Sequence, residues 1–218
     1  MSANTKQNKE YWRDRKINWV SHYWNPEHLH RSMIVDMLKG YPVRKVLEIG
    51  CGCGANLYRI KKAIPDVKIA GCDISKDAIR TARKQFGLEQ EEIDFDKELP
   101  IRDIELRVGS ADNLPFHGDS FDLVITDALL IYIGPEKIKR VLREIRRVGY
   151  EKVMFVEFHS ENFFKRLGLR SLSRYYAYNY KKLLAEQNFK YIKIRKIPEE
   201  VWGGKLWTNF GYVITAIR

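Results

Sequence analysis

From Lys45 onward the chain alternates short apolar runs with helical periods, and few folds accommodate that order. RKVLEIG reads as a strand, ANLYRIKKAI as a helix, VKIAGCD as a strand and KDAIRTARKQF as a helix. IELRVG and FDLVITD read as strands, PEKIKRVLREIRRV as a helix and KVMFVEF as a strand. Parallel neighbours need crossover connections, and helices on both faces bury both sides of such strands. The predicted class is therefore α/β, a doubly wound, mostly parallel sheet. After residues 160–180, which break the pattern with aromatics and arginines, come the helix YKKLLAEQNF, the strand YIKIRKI, the turn VWGGK and the strand GYVITAI. Two strands joined by a short connection predict a C-terminal antiparallel hairpin.

With 218 residues the chain fits one domain, since a single core grows to roughly 250 residues before chains split. Ahead of the alternating region, NPEHLHRSMIVDMLKG predicts a helix with Asn25 as N-cap, Pro26 at the first position and Gly40 at the stop. Ile34, Val35 and Leu38 form its apolar stripe. His22, His28 and His30 then read as helix-surface or rim residues, because no thiolate or carboxylate completes a metal set around them. Residues 1–9 read as a frayed tail. Residues 10–24 carry Trp12, Trp19, Tyr23 and Trp24 too unevenly for a regular amphipathic helix, and read as a segment that closes over a cleft. Residues 1–40 are thus expected to act as a cap, and residues 160–180 as an insertion on the substrate side.

No apolar run approaches the ~20 residues that span a bilayer, and the polar start lacks the apolar core of a secretory signal. Cys51, Cys53 and Cys72 are too few for a disulfide framework and lack a second pair for zinc, so no metal site and a reducing, cytoplasmic setting are expected. Lys and Arg outnumber Asp and Glu by 39 to 28. That excess suits an anionic substrate such as a sugar nucleotide, or RNA, and speaks to association alone. The basic residues of the PEKIKRVLREIRRV helix, namely Lys139, Arg140, Arg143, Arg146 and Arg147, read first as a solvated face.

The stretch VLEIGCGCGAN places Gly50, Gly52 and Gly54 at the end of the first strand, two positions after an acid, Glu48. Glycines so spaced let the main chain turn tightly and lie directly against a ligand. In open α/β sheets such a ligand sits beyond the carboxyl ends of the strands, at the switch point. A dinucleotide is one reading, since Gly50, Gly52 and Ala55 satisfy G-x-G-x-x-A and Asp73 follows at the distance of a ribose-binding acid. On that reading the chain is an NAD-dependent oxidoreductase.

Three further features accompany the loop: the second strand ends in Asp73, the third segment ends in GSADNLPF, and FDLVITDALLIYI follows directly. With E-x-G-x-G-x-G, this series resembles the class I S-adenosylmethionine-dependent methyltransferases over roughly residues 43–158. The resemblance implies a seven-stranded Rossmann-like sheet, S-adenosyl-L-methionine as cofactor and methyl transfer as the reaction. It implies that Glu48, Gly50, Cys51, Gly52 and Gly54 pass under the methionine part and that Asp73, with Ile74 beside it, accepts from the ribose hydroxyls. Ser110, Ala111 and Asp112 correspond to the adenine-binding turn. Relatives often carry Asp where this chain has Ser110, so either Ser110 or Asp112 meets the adenine amino group. Thr126 and Asp127, at the far end of their strand, point toward the cleft, while Asp122 anchors the strand entrance.

Alignment of two reactants supplies about 7 to 11 kcal/mol of a barrier, so a catalytic side chain need not dominate. Candidates facing the cleft are His159, Asp127, Tyr132 and Glu157, with His159 favoured as base by its residue type. DALLIYIGPEKIKRVLREI and VMFVEFHS are closer to methylases associated with surface-sugar biosynthesis than to nucleic-acid enzymes. The chain lacks the Asn/Asp-Pro-Pro-Tyr/Phe motif of amino-directed base methylation and the Pro-Cys or Thr-Cys motif of C5 methylation. A small-molecule acceptor, a sugar or sugar nucleotide among them, leads; RNA or protein methylation through the basic surface is second. Residues 160–180 with Trp202 and Trp207 are expected to line the acceptor pocket.

Overall fold

The computed structural model describes residues 3–88 and 103–218. The strands are β1 (Lys45–Ile49), β2 (Lys68–Asp73), β3 (Ile104–Val108), β4 (Phe121–Asp127), β5 (Gly149–Phe158), β6 (Lys190–Lys196) and β7 (Gly211–Ile217). They form a seven-stranded sheet in the order β3-β2-β1-β4-β5-β7-β6. Strands β1 to β5 pair in parallel, and β7 runs antiparallel to both β5 and β6. The helices are α1 (Ala3–Asp14), α2 (Trp19–Tyr23), α3 (Leu29–Lys39), α4 (Ala55–Ala63), α5 (Lys76–Gln85), α6 (Pro135–Val148), α7 (Phe163–Leu172), α8 (Tyr180–Glu186) and α9 (Lys205–Phe210).

Strand alternation sorts the core into two layers. Val46 packs with Ile69, Leu123 and Ile125 against Ile34 and Leu38 of α3, Leu57 and Ile60 of α4 and Ile79 of α5. Its neighbour Leu47 points to the other face, where Val124 and Phe155 meet Ile138, Val141, Leu142 and Ile145 of α6 and Leu184 of α8. The apolar stripe of α6 dictates this docking, and the helix is well terminated. Pro135 opens it, Glu136 lies in the first turn, and Arg146 and Arg147 lie in the last, each favourable to the helix dipole. Asp122 clamps the strand entrances as expected: it accepts from the Arg44 and Lys45 backbone N–H groups and from the Tyr150 hydroxyl.

The N-terminal region departs from the sequence reading. Residues 3–9, expected as a tail, and residues 10–14, expected to lack a regular helix, together form α1, and Asn8, 5% exposed, donates to the carbonyls of Tyr132 and Arg174. Docking, which no local pattern reveals, stabilises this polar helix. Helix α3 starts at Leu29, because residues 25–28 close a turn through His28 N–H and the Asn25 carbonyl, and the His28 ring caps the helix. The β6–β7 connection likewise holds the helix α9 where a simple turn was expected.

Gly71, in the middle of β2, shows how tightly the sheet packs beneath the glycine loop. A Cβ there would lie 2.8 Å from Cys51 Sγ, Leu106 Cδ2 and Leu57 Cδ1. Gly71→Ala is expected to cost about 1 to 3 kcal/mol, as overpacking of a filled core does. Urea denaturation with an unchanged slope and a lower midpoint checks it.

Candidate active site

The glycine loop is bolted to the end of β2. Gly50 and Cys51 donate to the Cys72 carbonyl at 2.7 and 3.2 Å, and Gly52 N–H donates to Asp73 Oδ2 at 2.9 Å. Asp73 Oδ1 accepts from Ser75 N–H at 2.9 Å. Each carboxylate oxygen thereby spends one lone pair on the backbone and keeps another for a ligand. Burial raises the Asp73 pKa from its ordinary value, against the pull of the Ser75, Gly52 and Ile74 N–H groups. Gly50 and Gly52 have φ of 75° and 53°, the left-handed region in which glycine is at ease.

Beside the loop, four elements converge on two carboxyl groups. Asn56, in the first turn of α4, donates from Nδ2 to Glu48 Oε1 and to Asp127 Oδ2, both at 2.7 Å. Its own Oδ1 accepts from Arg31 of α3 at 2.5 Å. His30 Nε2 lies 3.1 Å from Asp127 Oδ2, and its Nδ1 lies 2.6 Å from His28 Nδ1. The His30 ring stacks on Trp202 at 4.0 Å, and Trp202 on Trp207 at 3.6 Å. Burial pushes the Glu48 pKa up to about 8, because the single bond from Asn56 does not offset lost hydration and the Asp127 charge adds to the penalty. Burial acts on Asp127 in the same sense, but His30, Arg31 and Asn56 outweigh it and hold that carboxyl below its ordinary range. Glu48 Oε2 and Asp127 Oδ1 are buried with no hydrogen-bond partner among the described residues.

After Asp127 the chain turns through Ala128, whose φ is 52°, into a single 3-10 turn at Leu130–Tyr132. Glu157 accepts the N–H groups of Leu129, Leu130 and Ile131 at 3.0, 3.0 and 3.2 Å, and this collar fixes the turn. At the end of β3, the Ser110 hydroxyl bonds Asp112 at 2.5 Å, and Lys137 of α6 lies 3.4 Å from the same carboxylate. One cavity of about 280 Å³ runs past Glu48, Asn56, Asp73, Asp127, Asp112 and Lys137, and Trp12, Trp19, Tyr23, Tyr132 and Trp202 also line it, while Glu157 and His28 lie outside the lining.

A glycine cradle at the end of β1, an acid at the end of β2 and a cavity at the β1–β4 reversal coincide with a family match: residues 46–150 fit the family described as methyltransferase domain. Residues 46–150 carry a methyltransferase domain. Over 121 residues it is 31% identical to demethylmenaquinone methyltransferase of Thermotoga maritima, covering 54% of this chain and 44% of that protein. Over 127 residues it is 28% identical to an uncharacterized 37.1 kDa protein in transposon TN4556 of Streptomyces fradiae, covering 57% and 33%. The chain thus spans less than half the length of these curated relatives. Among solved structures it resembles the PH0226 protein of Pyrococcus horikoshii, with TM-score 0.61, 21% identity and 95% of each chain covered. It also resembles magnesium protoporphyrin IX methyltransferase of Synechocystis with bound S-adenosylhomocysteine, with TM-score 0.61, 16% identity and 99% and 93% covered. At these identities the solved structures establish a shared fold.

Within the methyltransferase domain, Glu48, Gly50, Cys51, Gly52, Asp73, Ile74, Ser110, Ala111 and Asp112 all line the cavity, together with Asp127 and Tyr132. Gly54 does not line it; a Cβ there would face Phe86 at 3.0 Å, so this glycine serves the packing of α4 on α5. Thr126 is fully buried and outside the lining, because it lies one residue short of the strand end. His159 is also elsewhere. Its ring stacks near Tyr180, its Nδ1 accepts from Tyr180 N–H at 3.3 Å, and burial pushes its pKa down. Residues 160–180 contribute nothing to the lining either, and Trp207 only backs Trp202. The sequence reading missed Asn56 and His30. The signal for His30 was its spacing of four from Ile34 and of eight from Leu38, which puts it on the buried stripe of α3, 3% exposed.

The raised Glu48 pKa fixes the sign of a pH effect. The folded protein holds a proton that the unfolded chain releases above the ordinary value of 4.5, so the associated stability is complete below about pH 4.5 and is lost as pH rises through about 8. Glu48→Gln keeps an oxygen for Asn56 and removes the titration. Its melting temperature is expected to fall less steeply between those pH values than that of the wild type, leaving the slope due to Glu157, which burial also raises to about 8. Identical slopes in a pH series of thermal melts would refute this origin.

Proposed function

We propose that this chain transfers a methyl group from S-adenosylmethionine to a small-molecule acceptor, a sugar or sugar nucleotide among the candidates, with residues 1–40 as the cap of the site. The observation that carries this reading is that one cavity is lined both by the Gly52–Asp73–Asp112 cradle and by an aromatic chamber from α1, α2 and the Trp202 region. The donor set suits the cofactor. Asp73 has lone pairs left for two ribose hydroxyls, Ser110 or Asp112 suits the adenine edge, and the unpartnered Glu48 and Asp127 oxygens suit polar hydrogens of the methionine part or of the acceptor.

When bound, S-adenosylmethionine supplies a methyl carbon already activated by its sulfonium. The work left to the protein is alignment and removal of a proton from an O–H or N–H acceptor. Asp127, held ionised, orients that hydrogen through Oδ1. Asp127 takes that proton, while His30, 3.1 Å from Oδ2, and His28, 2.6 Å behind it, fix the carboxylate from the α3 side. Burial, with His30 and Arg31 nearby, pushes the His28 pKa down and so favours a neutral ring behind His30. Flat aromatic walls suit the C–H faces of a sugar or another compact apolar face better than a polyanion. Curated relatives include a tRNA N(3)-methylcytidine methyltransferase of Drosophila melanogaster, 30% identical over 101 residues, so an RNA acceptor is the competing outcome.

Calorimetry with S-adenosylhomocysteine tests the donor. Asp73→Ala is expected to weaken binding about 10- to 100-fold, the cost of stranding buried hydroxyl donors. A melting curve separates that loss from the loosening of the Gly52 and Ser75 contacts. Binding of NAD with no response to S-adenosylhomocysteine would overturn the reading. For the acceptor, labelled methyl transfer into fractionated metabolites and RNA is the assay. Asp127→Asn is expected to lower turnover at least ~100-fold, as loss of a positioned base does, while the affinity for S-adenosylhomocysteine stays within severalfold. Label appearing in RNA alone would promote the second reading.

A further inference from the structure

Helix α7 is poorly explained by the fold that carries it. Asn162 caps it by accepting from Lys165 N–H at 3.0 Å, yet within the helix only Leu169 is buried. Phe163, Phe164, Leu167 and Leu172 are 62%, 78%, 48% and 91% exposed, four of the ten exposed large hydrophobic residues in the described chain. At roughly 100° per residue, Phe164, Leu167, Gly168, Ser171 and Leu172 fall on one face, with Leu169 on the far side. Lys165 and Arg170 flank that face. Nothing lies within 4 Å of a Cβ built on Gly168, so no described residue covers the face.

We propose that α7 is a membrane-surface docking helix that seats Phe163, Phe164, Leu167 and Leu172 in the interface of an anionic bilayer. The charge around it is complementary to such a surface. The helix contains no Asp or Glu, and residues 160–182 carry six Lys or Arg against the single acid Glu161. Apolar side chains enter the acyl boundary while flanking cations meet headgroup phosphates, the arrangement of helices that lie in a membrane plane. At 10 residues α7 is far too short to cross a bilayer. RNA would leave Leu167 and Leu172 without a partner, since bases stack on flat rings and not on branched aliphatic chains. A second copy of this chain would bring two basic rims together.

The opposite side of α7 and the chain after it join it to the cleft. The chain leaving α7 presents the Arg174 carbonyl to Asn8 of α1, and Tyr175 packs on the cavity-lining Tyr132 with centroids 5.4 Å apart. Leu169 packs with Ile131 beside Tyr132 and Tyr175 on that opposite side, so a bilayer under the Phe164, Leu167 and Leu172 face is held one helix away from the cavity wall.

Vesicle co-sedimentation of the full chain tests this, using phosphatidylcholine vesicles with and without about 30% phosphatidylserine at near-physiological salt, where cytoplasmic anionic lipid gives a comparable field. Expected is partitioning onto the anionic vesicles that drops at least about tenfold in Phe164→Ser/Leu167→Ser and in Lys165→Glu/Arg170→Glu. Circular dichroism melts should be unchanged, since every substituted side chain is exposed. Equal partitioning of wild type and both double variants would overturn the proposal, as would equal binding to neutral vesicles. Displacement from anionic vesicles by a short RNA, with retention of the RNA lost in the same variants, would assign the face to nucleic acid. A dimer in sedimentation equilibrium that Phe164→Ser/Leu167→Ser dissolves would assign it to self-association.

Discussion

The site depends on one amide. Asn56 holds Glu48 at the end of β1 and Asp127 at the end of β4, two carboxyl groups on the neighbouring strands where the sheet reverses direction. Left alone, two buried acids so placed would repel, and one would have to protonate. Asn56 donates to both and takes Arg31 on its own oxygen, while His30 joins the Asp127 side. The result is asymmetric. Glu48 is pushed toward the neutral form and Asp127 toward the ionised one, which separates two chemically equal groups into different roles. It also ties α3 and α4 to the two central strands, so the helix that lines the cavity with His30 and Arg31 is positioned by the groups it reaches.

The layered arrangement was legible because burial on both faces of β1, β2, β4, β5 and β7 leaves apolar runs, while β3 and β6, at the two edges, show as alternating patterns. The cradle was legible for a similar reason: Gly50, Gly52, Asp73 and the Ser110–Asp112 turn are local, and each sits where its strand ends. His159 and Glu157 were not. Both lie at the end of β5, but Asp127 pairs with Val156, so Glu157 stands one residue beyond that register and turns beneath the β4 loop. Which side a strand-end residue takes is decided by pairing across the sheet, and no local spacing encodes it. Asn8 makes the same point for the N-terminus, since its partners lie 124 and 166 residues away.

The basic run of α6 illustrates how charge can mislead about partners. Arg140 donates to the Asp112 carbonyl, and Lys139 pairs with Glu186 at 2.9 Å. Arg147 pairs with Glu144 and also donates to the carbonyls of Leu114 and Phe116. Arg140 and Arg147 hold the Ser110–Asp112 turn and the segment after it, while Lys139 ties α6 to α8. Much of the positive surface here is thus occupied with the protein's own backbone, while the cations around α7 flank an apolar face. The same residue types serve two purposes, separated by what lies between them.

Two cysteines sit in the cradle itself, Cys51 and Cys53, with Cys72 directly beneath. All three are buried and free. A thiolate is a strong nucleophile and a thiol is not. On the proposed function, ionised sulfur beside an alkylating centre would invite the protein to methylate itself and end its own activity. Burial, helped by the negative charges of Asp73 and Glu48, pushes the Cys51 pKa well above its ordinary value, and burial pushes that of Cys53 up to about 11. The packing that shapes the loop therefore also keeps its sulfur atoms chemically silent, and the chain retains two small, close-packing residues in the loop without exposing a suicide substrate.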